Sequence, residues 1–173
     1  MPNGATQKLF WGPLSALGLS IGVATAIADQ AHKWWMLLVY KITEKGEVAV
    51  TSFLDLVMVW NRGISYGLFQ QGSAVGQILL ACLAVGAVIG LTWWLAQMTS
   101  RMGALGAGLV IGGAIGNGID RLVHGAVADF FSFHAYGFYW YVFNIADVAI
   151  VAGVVGLMYE SLFGSHKKVS KNP

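Results

Sequence analysis

Charged residues are scarce in this sequence of 173 residues, where Asp, Glu, Lys and Arg together make up only 10%. Since soluble domains carry roughly 25% charged residues, this scarcity excludes an ordinary water-exposed globule. The hydrophobic fraction of 57% excludes a disordered chain, and the net charge of only +2 argues against nucleic-acid binding. The composition, which includes 23 Gly and 7 Trp, therefore indicates an integral membrane protein.

Cysteine is almost absent as well. The single Cys82 excludes an internal disulfide bond and any metal site built from several cysteines. A metal site at Asp129 is conceivable because His124 and His134 flank it, but their spacing matches no ligand motif. There is also no Ser–His pair in a nucleophile elbow. We therefore expect neither a metal nor another cofactor.

The uncharged stretches predict the architecture. Residues 9–28, 63–100 and 102–119 contain no Asp, Glu, Lys or Arg, and a shorter apolar stretch surrounds and follows Asp147. A membrane-spanning helix needs about 20 apolar residues. We therefore predict one mainly helical membrane domain over residues 1–173. Its four transmembrane helices are expected at about 10–28, 75–97, 103–122 and 140–163.

The main extramembrane segment lies between the first two predicted spans, at about 34–62. Residues 48–51 and 53–60 are rich in β-branched and aromatic side chains, and residues 44–47 form a plausible turn before them. We expect a small strand-rich cap on the membrane surface. Residues 67–73 are expected to form a short surface helix, which is a candidate lid over the site.

The N-terminal stretch imitates a cleavable signal peptide, because Lys8 precedes it and Ala26-Ile27-Ala28 resembles a cleavage site. Its uncharged length exceeds the usual 7–15 residues of such a segment, which favours an uncleaved span. The basic residues divide equally between the two sides of the predicted membrane. The positive-inside rule therefore does not fix the orientation.

Ionisable groups at membrane depth are costly and mark functional sites. Asp29, Asp120, Arg121 and Asp147 lie at or beside predicted span ends, and an alternating four-span chain brings these ends to one face. Asp129 belongs to the same face because it lies in the short connection between spans three and four. For Asp29 and Asp120 a structural role is an equal alternative, namely an ion pair with Lys33 and the capping of a helix end.

Two amide–carboxylate pairs recur in this part of the sequence. Asn117 precedes Asp120 by three residues, and Asn144 precedes Asp147 by three residues, so that each pair would share a helical face. The amide can satisfy the carboxylate away from water. Glycines in the third span would let a neighbouring helix approach closely.

Four ordered blocks of this sequence resemble the bacterial lipoprotein signal peptidases, the signal peptidase II family of intramembrane aspartic peptidases. The blocks are residues 29–33, residues 61–67, residues 113–121 together with 125–130, and residues 143–147. The departures are minor: His32 stands where Thr or Ser is frequent, and Ile64-Ser65-Tyr66 where small residues and Phe are usual.

The resemblance implies that Asp129 and Asp147 form the catalytic dyad. The other positions that match the family's pattern, as supporting or substrate-binding residues, are Asp29, Lys33, Asn61, Gly63, Asn117, Asp120, Arg121 and Asn144. It also implies hydrolysis of prolipoproteins just before a Cys that carries a diacylglyceryl group.

The same resemblance implies a location in the bacterial inner membrane, with both termini cytoplasmic and with the cap and the active site at the outer face. The expected partners are the lipidated substrate and membrane lipids, and we expect a monomer. Two other classes stay open from the residues alone. A small transporter would carry acids staged across the bilayer, and an assembly subunit would tolerate Asn at both dyad positions.

Overall fold

The computed structural model describes residues 9–63 and 73–164. Its helices are α1 (Ser15–Trp34), the short α2 (Ile42–Lys45), α3 (Ala74–Leu95), α4 (Arg101–His124) and α5 (Ile145–Phe163). Residues Trp35–Val39 continue α1 as a π-helix. The strands are β1 (Val48–Thr51), β2 (Leu54–Asn61), β3 (Val127–Ala135) and β4 (Phe138–Tyr139).

Within the described part of the chain, three helices are long and apolar enough to cross a membrane, namely α3, α4 and α5. The prediction of four such helices is therefore not confirmed. The remaining candidate, α1, has 20 residues but carries Asp29 and Lys33 in its second half. Its crossing of the membrane stays a prediction.

Two helices have an end that differs from the predicted span by more than two residues. Helix α1 runs from Ser15 to Trp34 instead of 10–28, because Asp29 and Lys33 find partners inside the protein and do not end the helix. Helix α5 begins at Ile145 instead of near 140. The side chain of Asn144 caps its first turn, and Phe143 pairs with Phe131 of β3.

The four strands form one antiparallel sheet in the order β1-β2-β3-β4. The sequence predicts β1 and β2, and a small antiparallel sheet is confirmed, but β3 is an addition to the predicted strands. Asp129 lies within this strand, opposite Val59 of β2, and not in a loop. The predicted surface helix at 67–73 lies outside the described residues except for Ser73, whose side chain caps α3.

Two packing features fix the position of the site. Gly106 of α4 faces Gly153 of α5 so closely that a Cβ on either residue would lie 2.6–2.8 Å from the other's carbonyl oxygen. This close approach sets the distance between α4 and α5. A small core of Met36, Ile42, Ala128 and Phe130 seats β3 against the end of α1. Asp129 is thereby held beside the first turn of α5.

Candidate active site

A buried lysine stands at the centre of the polar cluster. Lys33 is 1% exposed, and its Nζ lies 2.8 Å from an oxygen of Asp29 and 2.8 Å from an oxygen of Asp120. It also donates to the Oδ1 of Asn117 at 3.2 Å. The three acceptors match the three donors of the ammonium group. The ion pair that the sequence allows between Asp29 and Lys33 therefore exists, but it is buried and shared with Asp120.

The two carboxylates of this ionic cluster, which consists of Asp29, Lys33 and Asp120, also bind other elements. Asp29 accepts the backbone N–H of Ala146 at 2.9 Å, in the first turn of α5, where a helix favours negative charge. Asp120 accepts the N–H of Ala128 at 3.0 Å. The cluster consequently joins α1 and α4 to both β3 and α5, and Asp120 does not cap a helix end.

Asn117 connects the ionic cluster to Asp147. Its Oδ1 accepts from the Nζ of Lys33 and from the Nδ2 of Asn144, the latter at 3.1 Å. With two donors on its oxygen, the amide must turn its Nδ2 the other way, where it donates to Asp147 at 2.8 Å. The expected pairing of Asn117 with the acid three residues later is thus replaced by a bond to a different helix.

Asn144 performs two tasks at the start of α5. Its Oδ1 accepts the backbone N–H of Asp147 at 2.9 Å, and the Asp147 carboxylate accepts the N–H of Asn144 at 3.3 Å, so the two form a capping box. The same side chain donates from Nδ2 to Asp129 at 2.6 Å. A capping residue of α5 therefore places the carboxyl groups of Asp129 and Asp147 on either side of itself.

Asp129 is 1% exposed and has amides as its hydrogen-bonding partners. Asn144 binds its Oδ1, and the Nδ2 of Asn61 donates to its Oδ2 at 3.1 Å. Burial raises the pKa of Asp129 to about 7, and the negative charge of Asp147 acts in the same direction. The two amide hydrogen bonds oppose the shift but do not cancel it. The carboxyl group can thus hold a proton near neutrality.

Asn61, Gly63 and Arg121 form the rim of the site. The Oδ1 of Asn61 accepts the N–H of Gly63 at 2.9 Å, and Arg121 donates to the carbonyl of Gly63 at 2.8 Å. Arg121 also donates to the carbonyl of Asn117 at 3.1 Å. All ten residues that the sequence singles out therefore belong to one connected network. The transporter alternative, with acids staged across the bilayer, does not describe this arrangement.

Sequence reasoning misses two glutamines of the site. Gln30 donates to Asp120 at 2.8 Å, and Gln77 donates to the carbonyl of Arg62 at 2.6 Å. The available signal for Gln77 is an amide side chain within an otherwise apolar stretch, where a polar group needs a partner. The corresponding signal for Gln30 is its position as the polar neighbour of Asp29.

The two histidines beside Asp129 have other neighbours. The ring of His124 lies against Trp60 at 5.2 Å between centroids, and His134 pairs with Asp55 at 3.0 Å. Among the residues that the structure describes, no group of three His, Cys, Asp or Glu side chains could hold a metal ion. The arrangement is suited to proton transfer between two carboxyl groups and a water molecule.

Two cavities meet at Asp147. A groove of about 800 Å³ lies between the sheet and α5 and is lined mainly by aromatic and aliphatic side chains. They include Phe53, Phe133, Phe138, Trp140, Phe143 and Val151. A cavity of about 200 Å³ lies between α3, α4 and α5, and its polar lining is Asn61, Asn117, Arg121 and Asp147. Asp147 therefore lines both cavities.

Comparison with known proteins agrees with this site. The model of the family described as signal peptidase (SPase) II matches residues 21–163. The lipoprotein signal peptidase of Nitrobacter hamburgensis is 53% identical over 148 residues, which cover 83% of this chain and 90% of that protein. Its counterpart in Rhodopseudomonas palustris (strain TIE-1) is 50% identical over 153 residues, covering 86% of this chain and 93% of that protein.

Solved structures have the same fold. A bacterial membrane enzyme structure obtained by the in meso method at 2.3 Å resolution has a TM-score of 0.77 and 22% identity, covering 96% of this chain and 99% of that one. A second one, at 1.9 Å resolution, has a TM-score of 0.73 and 23% identity, covering 90% of this chain and 99% of that one. These neighbours and the three apolar helices indicate a membrane protein. Since the family model covers most of the chain and the relatives are about half identical, this chain belongs to the signal peptidase II family of peptidases.

Proposed function

We propose that this chain is an aspartic endopeptidase that removes the signal peptide from diacylglyceryl-modified prolipoproteins, cutting just before the lipidated Cys. The observation that carries the proposal is the placement of Asp129 and Asp147 on either side of Asn144, which binds both. Membership of the signal peptidase II family and the names of the relatives, lipoprotein signal peptidase, support the substrate class.

The two carboxyl groups share one proton. The negative charge of Asp147 opposes the ionisation of Asp129, and the pair titrates as a unit. Asp129 keeps the proton, because burial raises its pKa to about 7. Asp147 is partly exposed and binds Asn117 as an acceptor, so it serves as the ionised partner.

The reaction needs the two acids and a water molecule. Asp147 takes a proton from the water while the water oxygen attacks the scissile carbonyl carbon. Asp129 donates a hydrogen bond to the oxygen as negative charge develops there. When the C–N bond breaks, the leaving amine receives a proton, and the dyad returns to one proton shared between two carboxyl groups.

The lining of the two cavities supports a proposal for where each part of the substrate binds. The groove between the sheet and α5 takes the acyl chains, because its lining is aromatic and aliphatic and it ends at Asp147. The smaller cavity takes the backbone around the scissile bond. Asn61, Arg121 and Asn144 already bind protein atoms, so they act by holding the dyad in place more than by binding the substrate.

The ionic cluster and the membership of the signal peptidase II family support the proposed topology. Helix α1 crosses the membrane as a fourth span, since Asp29 and Lys33 pair with each other and bind groups on α4 and α5, so that they do not face lipid. The chain acts as a monomer in the bacterial inner membrane, with both termini cytoplasmic. The dyad and the sheet lie at the outer face.

Cleavage of a purified lipidated prolipoprotein tests the proposal. The wild type is compared with Asp129→Asn and Asp147→Asn, and both variants are expected to lose cleavage. Matched controls are Asp55→Asn, a buried acid of the same sheet, and Glu160→Gln, an acid on α5 far from the dyad; both are expected to cleave as the wild type does. Near-wild-type cleavage by either dyad variant would overturn the mechanism.

An unlipidated version of the same prolipoprotein tests the groove. It is expected to be cleaved more slowly, because nothing then fills the apolar cavity beside Asp147. Equal cleavage of both substrates would contradict the assignment of the groove to acyl chains, without affecting the dyad.

A further inference from the structure

Gln77 is a polar residue near the start of the apolar helix α3, and it is only 4% exposed. A buried amide is destabilising unless it is hydrogen-bonded. Its Nε2 donates to the backbone carbonyl of Arg62 at 2.6 Å, which is a short hydrogen bond. Gln77 therefore ties α3 to the residues that follow β2.

Three hydrogen bonds hold the backbone of Arg62 and Gly63 in place. Gln77 holds the carbonyl of Arg62, the side chain of Asn61 accepts the N–H of Gly63, and Arg121 of α4 donates to the carbonyl of Gly63. The Arg62 carbonyl and the Gly63 N–H belong to the same planar peptide unit. Gln77 and Asn61 consequently bind opposite edges of one planar peptide unit.

The orientation of that plane decides where Asn61 points. When the Oδ1 of Asn61 accepts the Gly63 N–H, its Nδ2 faces Asp129, to which it donates at 3.1 Å. If the Arg62 carbonyl is released, the plane can rotate and the Gly63 N–H no longer fixes the amide. Asn61 then loses its preference for the orientation that binds Asp129.

We infer that Gln77 is a positioning residue of the active site, which acts through the Arg62–Gly63 peptide to hold Asn61 on Asp129. The inference rests on the proposed function, since it concerns the geometry of the proposed dyad. The bond from Gln77 to the carbonyl of Arg62 contacts neither Asp129 nor Asp147, so the effect of this bond on the dyad is indirect. Its contribution is the alignment of one donor, which is expected to appear in the chemical step more than in substrate binding.

The test is cleavage of the lipidated prolipoprotein by Gln77→Met, which keeps the length of the side chain and removes its donor. We expect kcat to fall about five- to tenfold, as for the loss of one hydrogen bond, with KM nearly unchanged. Gln97→Met is the matched control. Gln97 follows the other end of α3, is exposed and donates to the carbonyl of Trp93 four residues earlier, so this variant should retain wild-type kcat.

A double-mutant cycle with Asn61→Ala shows through which residue Gln77 acts. Gln77→Met should reduce kcat in the wild-type background and have almost no further effect once Asn61 is replaced. The descending alkaline limb of the pH profile should also move to higher pH in both single variants, because the ionised form of Asp129 loses a donor. A merely structural role would lower thermal stability without moving this limb.

Each outcome separates the two proposals. Equal reductions of kcat in both backgrounds, or an unmoved pH profile in Gln77→Met, would overturn the role of Gln77 while the dyad stands. Near-wild-type cleavage by Asp129→Asn would overturn the aspartic mechanism and the role of Gln77 together. If Gln77→Met is too unstable to purify, Gln77→Glu replaces it. Its carboxyl group can donate to Arg62 only when protonated, so its kcat relative to wild type should rise as the pH falls.

Discussion

Two groups of acids lie side by side in this protein, and they differ in their partners. Asp29 and Asp120 share the ammonium group of Lys33, at 2.8 Å from each. Asp129 and Asp147 are instead bound by amides, those of Asn61, Asn117 and Asn144. A buried acid paired with a cation fixes structure, whereas two neighbouring acids bound by neutral groups are suited to sharing a proton. The partners therefore distinguish a structural cluster from the proposed site of proton transfer.

Replacement of the dyad should have the largest effect on activity and a small effect on stability. Asp129→Asn and Asp147→Asn are expected to reduce kcat by about 10² to 10⁴-fold, the range for a general acid or base. The amide keeps the shape of the side chain and removes repulsion between two acids. Cleavage assays and thermal unfolding in the same detergent would measure both quantities. Strong destabilisation of both variants would contradict the distinction between the two groups.

Replacement of Lys33 should instead have its main effect on stability. Lys33→Met leaves Asp29 and Asp120 buried without their cation, which is expected to cost about 3–5 kcal/mol of unfolding free energy. The measurement is denaturant or thermal unfolding of the purified variant, with Lys41→Met as the control. Lys41 forms an exposed pair with Glu44 at 3.6 Å and should contribute little. Wild-type stability of Lys33→Met would remove the structural role of the cluster.

Asn117 belongs to both groups, because it accepts from Lys33 and donates to Asp147. Asn117→Leu should therefore reduce both properties. We expect kcat to fall about ten- to a hundredfold, since a hydrogen bond to a charged group is lost, and the unfolding temperature to fall as well. A fall in only one of the two would show that the groups are independent of each other.

The pH dependence is the smallest expected effect and concerns Asp129 alone. Because its pKa in the folded protein is about 7, the required protonated form is lost, and cleavage falls, as the pH rises through about 7. The stability that this group contributes has the same sign. It is complete below the unfolded value of 3.8 and is lost as the pH rises through the folded value. Unfolding of Asp129→Asn should lack this component, and an unchanged pH dependence of stability would contradict the assignment.

Part of the site can be predicted from the sequence because charge is rare in it. An acid in an apolar membrane chain is energetically costly and is kept where it has a function or a partner. Composition and position alone therefore single out Asp29, Asp120, Asp129 and Asp147. The hydrogen-bonding partners of these acids cannot be predicted in the same way. The spacing predicts Asn117 beside Asp120, whereas it binds Asp147 of another helix. Gln77 escapes such reasoning because its contact is with a backbone carbonyl that is 15 residues away.

The class of protein, the apolar helices, the first two strands and the family can be predicted without a structure, because they depend on composition, periodicity and ordered local motifs. The folded arrangement was needed to show that Asp129 lies on a third strand and that Asn144 is a helix cap. The folded arrangement also showed that Asp29 and Asp120 are the acids that pair with the cation of Lys33. These contacts depend on which helices and strands pack together. The partner of a carboxyl group can be distant in the sequence, and no local pattern identifies it.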